Sequence, residues 1–171
     1  MSETAAPITD TTVTATVLDD ADVEGCHAPH QIAWRTLART HAAVSGRIQE
    51  GLTEAGLPPL AWFDVLATIA EADGRMRMGD LAEALVITRG GLTKLVDRLV
   101  KAGLLERTFC ESDRRVSYAT LLPAGVELLS EMLPVVSGEL RVAFGANISD
   151  GEAEQLTTTL ERVRGIACSG G

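Results

Sequence analysis

The sequence predicts a mainly α-helical chain carrying one small β-hairpin, on three observations. Apolar residues recur at three- and four-residue spacing over most of 30–101 and again over 126–163, the period of helices with one buried side. Between these stretches, Leu104 to Phe109 and Val116 to Leu121 read as two short strands around the polar turn Cys110-Glu111-Ser112-Asp113. Gly56, Gly74 and Gly103 fall where helices should stop.

Taken in order, the first stretch, Met1 to Pro29, has six acidic residues and no Lys or Arg, and is expected to be a disordered acidic arm. A long helix then runs from His30 or Gln31 to about Ala55, with Ile32, Leu37, Val44, Ile48 and Leu52 on its apolar side. Pro58 and Pro59 open the next, whose core face is Trp62, Val65, Leu66 and Ile69. A short helix over 79–85 buries Leu81, Ala82 and Leu85, and Val86-Ile87 is a turn. Thr88 can cap the following helix by accepting from an amide near Gly91. Along that helix Leu92, Leu95, Val96 and Leu99 fall on one side, with Gly90, Thr93, Lys94, Asp97, Arg98 and Lys101 on the other. Gly90-Gly91 in its first turn is costly, about 1 kcal/mol each relative to alanine, but lets backbone amides approach a phosphate or base edge closely.

Two short helices followed by a basic hairpin are the order of a winged helix-turn-helix. The polar side of the second helix is then a reading face, and the hairpin is a wing. At the wing tip Arg114 and Arg115 can enter a minor groove or meet phosphates, with Asp113 expected to hold one guanidinium in a bidentate pair. After the wing, a helix over 126–143 carries Leu128, Leu129, Met132, Val135 and Val136, with a kink expected at Pro134. The last helix begins at Ser149, whose S-x-x-E spacing to Glu152 is a capping box, and presents Ala153, Leu156, Leu160 and Val163. The organisation expected is therefore an arm (1–29), a winged helix-turn-helix DNA-binding domain (58–121), and terminal helices (30–57 and 122–167) forming a dimerisation platform. An intramolecular three-helix bundle is the alternative for those terminal helices.

A net charge of −9 looks unfavourable for a DNA partner. Its distribution removes the objection. Between Arg75 and Tyr118 nine Lys/Arg and six Asp/Glu give +3, leaving −12 on the remainder. A local basic face on an acidic body suits selective binding and suppresses indiscriminate coating of DNA. With 171 residues, 46% of them apolar and only 4% aromatic, the core must be mostly Leu, Val and Ala. No apolar run approaches the length of a membrane span and the acidic N-terminus lacks a basic signal region, so a cytoplasmic protein is expected. Cys26, Cys110 and Cys168 are odd in number and form no C-x-x-C, against a disulfide-stapled secreted fold. There is no nucleophile elbow, P-loop, G-x-G-x-x-G or H-E-x-x-H, so no enzyme and no cofactor are expected.

From Leu60 to Gly125 the sequence resembles a MarR-type transcriptional regulator, most like the actinobacterial branch. The matching segments are AWFDVLATIAEADG, MGDLAEAL, TRGGLTKLVDRLVKAGLLER, SDRRVSYATL and PAG. The likeness extends over the chain after about residue 30 but is specific only in the winged segment. It departs from the pattern at Leu122, where similar proteins have Thr, which weakens capping of the helix after the wing. The resemblance implies a homodimer whose recognition helices enter successive major grooves of a pseudo-palindromic operator in double-stranded DNA. Thr88, Gly90, Gly91, Thr93 and Lys94 would line the groove, Arg98 and Lys101 hold phosphates, and Asp113, Arg114 and Arg115 serve the wing. Lys94 and Arg89 are the candidates for guanine readout, although Arg89 lies nearer the buried side of the helical wheel. Repression, released by a small aromatic or anionic ligand near Trp34, His41 and Trp62, is the family-level expectation.

Two sensor variants stay open. Cys26, His27 and His30 beside Asp22 and Glu24 have the donor types of a zinc site. Cys26 is also a candidate for peroxide sensing, but Tyr118 is the chain's only tyrosine and the tyrosine partners of that pattern are missing. A winged helix turned to protein partners is the remaining competitor, and salt-sensitive binding to a defined duplex separates it from a DNA regulator.

Overall fold

A computed structural model describes residues 28–109, 113 and 115–168. The elements are α1 (Ala28–Glu54), α2 (Leu60–Glu71), β1 (Arg75–Arg77), α3 (Met78–Ala84), α4 (Arg89–Lys101), β2 (Leu105–Phe109), β3 (Ser117–Leu121), α5 (Pro123–Ala143), a 3₁₀ turn (Gly145–Asn147) and α6 (Asp150–Cys168). The chain divides into two compact units, Met1–Arg39 and Thr40–Gly171. In the first, the opening of α1 exposes Ile32 and Trp34, the latter at 68%. The expected acidic arm and the Cys26–His27 end of the zinc reading lie outside the described residues.

Within Thr40–Gly171 there are two apolar clusters. One joins Val65, Leu66 and Ile69 of α2, Leu81 and Ala82 of α3, the four-residue stripe of α4, and Leu104, Leu105 and Ala119 beneath the sheet. The other joins Ile48 and Leu52 of α1 to Met132 and Val136 of α5. Leu128 packs against both. Pro59, ahead of α2, offers no side-chain cap, and Gln49 of α1 takes over by accepting the Leu60 amide at 3.1 Å. Arg47 and Glu139 tie α1 to α5 through a 2.7 Å ion pair.

The sheet has three strands in the order β1-β3-β2, all antiparallel, with Arg75 opposite Thr120 and Phe109 opposite Ser117. The sequence predicts only the hairpin. Arg75-Met76-Arg77 has too few residues to show a period, and pairing with β3 makes it a strand. α5 starts at Pro123, earlier than expected, with no side-chain cap from Leu122. The helix continues past Pro134. The capping box of α6 forms: Ser149 donates its amide (2.9 Å) and hydroxyl (2.7 Å) to Glu152, whose amide lies 3.4 Å from Ser149 Oγ.

Gly125 fixes how α5 leaves the wing. A Cβ there would run into the Leu104 carbonyl oxygen and lie 2.8 Å from Leu121 Cδ1. That same carbonyl accepts the Leu122 amide at 3.0 Å, so it has little freedom to retreat. Gly125→Ala should lower stability by about 1–3 kcal/mol through overpacking, read as a lower urea midpoint at unchanged slope. At α6, the Ser149 amide and hydroxyl hold the Glu152 carboxyl below the ordinary glutamate range. A depressed carboxyl stabilises the fold above its unfolded pKa, and the contribution is lost as pH falls through the folded value. Glu152→Gln should therefore speed amide exchange at the start of α6 at neutral pH, with the gap from the unmodified chain closing in acid.

Candidate nucleic-acid interface

The second helix of the pair, α4, has its expected start. Thr88 adopts an extended backbone (φ −62°, ψ 146°) and its Oγ1 accepts from the Gly91 amide at 3.2 Å. A Cβ on Gly91 would sit 3.1 Å from that oxygen, whereas one on Gly90 would meet nothing within 4 Å. Gly91 thus serves the cap, and Gly90 leaves the outer side of the first turn open. Burial of Leu92, Leu95, Val96 and Leu99 turns Arg89, Lys94, Asp97, Arg98 and Lys101 outward. Arg89 is exposed, not drawn toward the buried side as the wheel suggests; it stands in the first turn, before the stripe begins. Thr93 is half-buried, and its hydroxyl donates to the Arg89 carbonyl at 2.9 Å.

In the wing, Asp113 is engaged by the backbone that follows it. Its Oδ1 accepts the Arg115 backbone amide at 2.9 Å, and its carbonyl accepts the Val116 amide at 3.0 Å. The carboxylate therefore shapes the turn that presents Arg115 instead of pairing with the Arg115 guanidinium, because a local amide two residues on is the nearer donor. Arg115 is exposed, while Arg114 and Cys110 lie outside the described residues.

Helix and wing are joined by a residue absent from the expected site. Arg107 of β2 lies 3.6 Å from the Asp97 carboxylate of α4 and donates to buried Ser117 of β3 at 3.3 Å. Its guanidinium carbon is 5.5 Å from the Phe109 ring centroid, and its Nε is buried without a hydrogen-bond partner. Asp97, expected on the reading face, is thus partly occupied by the wing. The signal in the sequence was Ser117, a polar residue on the buried side of an otherwise apolar strand. Arg77 was also missed. With Arg89 and Arg115 it surrounds a cleft of about 400 Å³ whose apolar lining includes Met78, Leu92 and Val116. Three cations from β1, α4 and the wing therefore share one concavity with Asp80 and Glu83 of α3.

Of the residues expected around a ligand, Trp62 is half-buried against the winged core and His41 is exposed. His41 acts electrostatically on Asp64, whose carboxyl is raised chiefly by burial, with the imidazole opposing the shift. Neither lines the cleft above, nor a second hollow of about 350 Å³ between α5 and α6. Among the described residues no group of three His, Cys, Asp or Glu could hold a metal ion, and no helix is long and apolar enough to cross a membrane.

This geometry has close counterparts. Residues 55–116 match the MarR family. The HTH-type transcriptional regulator MhqR of Bacillus subtilis is 27% identical over 127 residues, covering 74% of this chain and 86% of that protein. AbsC, a MarR family transcriptional regulator from Streptomyces coelicolor, superposes with a TM-score of 0.74 at 27% identity, covering 84% of this chain and 97% of its own. Sco3205, a MarR family regulator from the same organism in complex with DNA, gives a TM-score of 0.72 at 27% identity, covering 81% of this chain and 88% of its own. The matched segment spans the helix pair and the approach to the wing, and the structural likeness extends beyond it: the chain is a winged helix-turn-helix protein similar to transcriptional regulators of the MarR family.

Proposed function

We propose that the chain binds a pseudo-palindromic operator in double-stranded DNA as a homodimer and represses transcription there. The observation that carries this reading is the convergence of Arg77, Arg89 and Arg115, from three elements, on one cleft at the opening turn of α4, where they outnumber Asp80 and Glu83. Lys94, Arg98 and Lys101 carry positive charge further along the exposed side of the helix. The α4 N-terminus, with Gly90 unshielded, faces base edges in the major groove. Lys94 reads guanine, Arg98 and Lys101 hold phosphates, and Arg115 reaches the adjacent minor groove from the wing. Sco3205, similar throughout this region, has been captured with DNA.

Residues 30–57 and 122–167 form the dimer platform in this reading. Val126, Leu133 and Leu140 recur at seven-residue spacing on α5 and are 49%, 50% and 43% exposed; Leu156 and Val163 repeat the pattern on α6. Such stripes are more apolar than a solvated helix needs, and a two-fold partner covers them most economically. A small aromatic or anionic molecule near Trp62 and His41 releases the operator, through a coupling that is reciprocal between ligand and DNA.

The test is fluorescence anisotropy with duplexes tiled across the gene's own upstream region, against random DNA. One tile should bind tightly. Lys94→Ala should weaken that complex by about 1–3 kcal/mol and relax specificity at one base pair. Arg115→Ala should weaken binding and reduce the slope of log affinity against log salt by about 1 per subunit. Equal, weak binding to every tile and to random DNA would instead favour a winged helix that docks a protein. Trp62 emission that stays constant across a panel of aromatic acids would remove the ligand from the scheme.

A further inference from the structure

Four helices of this chain end in the same closure. The residue after the C-cap takes a left-handed backbone, and the next amide reaches back to a carbonyl one turn earlier. Those amides are Leu57 onto Leu52 (2.9 Å), Gly74 onto Ile69 (2.9 Å), Ile87 onto Ala82 (3.1 Å) and Leu104 onto Leu99 (3.0 Å). The left-handed residues are Gly56 (φ 70°), Asp73 (φ 55°), Val86 (φ 53°) and Gly103 (φ 72°). Glycine and aspartate tolerate that conformation. A β-branched residue does not, because its branched Cβ crowds the following carbonyl.

Val86 recovers nothing through packing, since its side chain is 89% exposed, the most exposed large apolar residue described. Its location is the informative part. It stands two residues before the Thr88 cap, at the tip of the turn between α3 and α4. Ile87 Cγ2 comes within 3.5 Å of where a Gly91 Cβ would lie, so this turn rests against the first turn of α4. An apolar group is thus held out, in strain, two residues before the opening turn of α4, whose exposed residues include Arg89 and Lys94. Base edges in the major groove display one apolar group, the 5-methyl of thymine.

We infer that Val86 is a specificity-determining residue whose γ-methyl groups contact the 5-methyl of a thymine beside the bases read by the start of α4. The inference rests on the DNA reading above and deepens it. A hydrogen-bonding residue would be expected if this tip met a phosphate, and glycine or asparagine if it met only water.

The experiment uses the full chain and a duplex selected by it from a randomised library. Thymines are replaced one at a time by deoxyuridine, which removes the methyl group and nothing else. The unmodified chain should lose about fourfold in affinity per half-site at one symmetric position, the worth of one buried methyl-sized group. Val86→Gly should bind the thymine and deoxyuridine forms of that position alike, and should melt at a higher temperature because the strain is gone. Val86→Ala keeps a Cβ in the left-handed region but loses the γ-methyls, and it too should be blind to the substitution. The inference is overturned if no position is methyl-sensitive, or if Val86→Gly keeps the full deoxyuridine profile of the unmodified chain. Recovery of no duplex from the library would overturn the DNA reading itself, a result separable from a bound duplex that ignores Val86.

Discussion

Burial of Leu92, Leu95, Val96 and Leu99 decides which side of α4 faces out, and the candidate interface depends on that choice. These four side chains are nearly enclosed by α2, α3 and the sheet. At about 1.5–3 kcal/mol for each fully buried aliphatic side chain, rotating the helix by one residue would expose more apolar surface than its polar contacts could offset. Arg89, Lys94, Arg98 and Lys101 are therefore outward, with no side-chain ion pair among the described residues to hold them there. Thr88 sets the remaining degree of freedom, the point at which the helix begins, and with it which backbone amides stay unpaired at the tip.

The wing lacks such a stripe and is held differently. Arg107 places a guanidinium between α4 and both hairpin strands, with one buried nitrogen left without a partner. A half-buried guanidinium whose Nε lacks a partner, paired at 3.6 Å with an exposed carboxylate, is a poor source of stability. Its geometric consequence is more definite: Asp97 on the helix and Ser117 in the strand are both drawn to one planar group, which constrains the angle between them. In the proposed complex this shared group lowers the entropy of aligning helix and wing on binding.

The structure also shows which features of this chain a linear reading can reach. The caps at Thr88 and Ser149, the stripe of α4 and the stop at Gly103 are written in residues at most four apart, so spacing reveals them. β1 is made by pairing Arg75–Arg77 with residues more than forty positions away, and Arg107 owes its role to partners on two other elements. Nothing local distinguishes Arg107 from Arg98, although one is tethered and the other exposed. Asp113 shows the local case again, since its Oδ1 accepts an amide two residues on. α5 continues through Pro134 with Met132 and Val136 on either side held in the core.

Charge distribution completes the argument at longer range. The segment from Arg75 to Tyr118 carries +3 while the rest of the chain carries −12, so a polyanion meets attraction on one face and repulsion over the remainder. At physiological salt the screening length is about 8 Å, shorter than the molecule, so the repulsion is felt only when the wrong face approaches. The acidic surplus therefore acts against misoriented and unselective encounters while leaving close contacts at α4 and Arg115 almost unscreened. In the proposed complex, affinity depends on how many of those few cations reach phosphates together, so the placement of the wing against α4 matters more than the total charge.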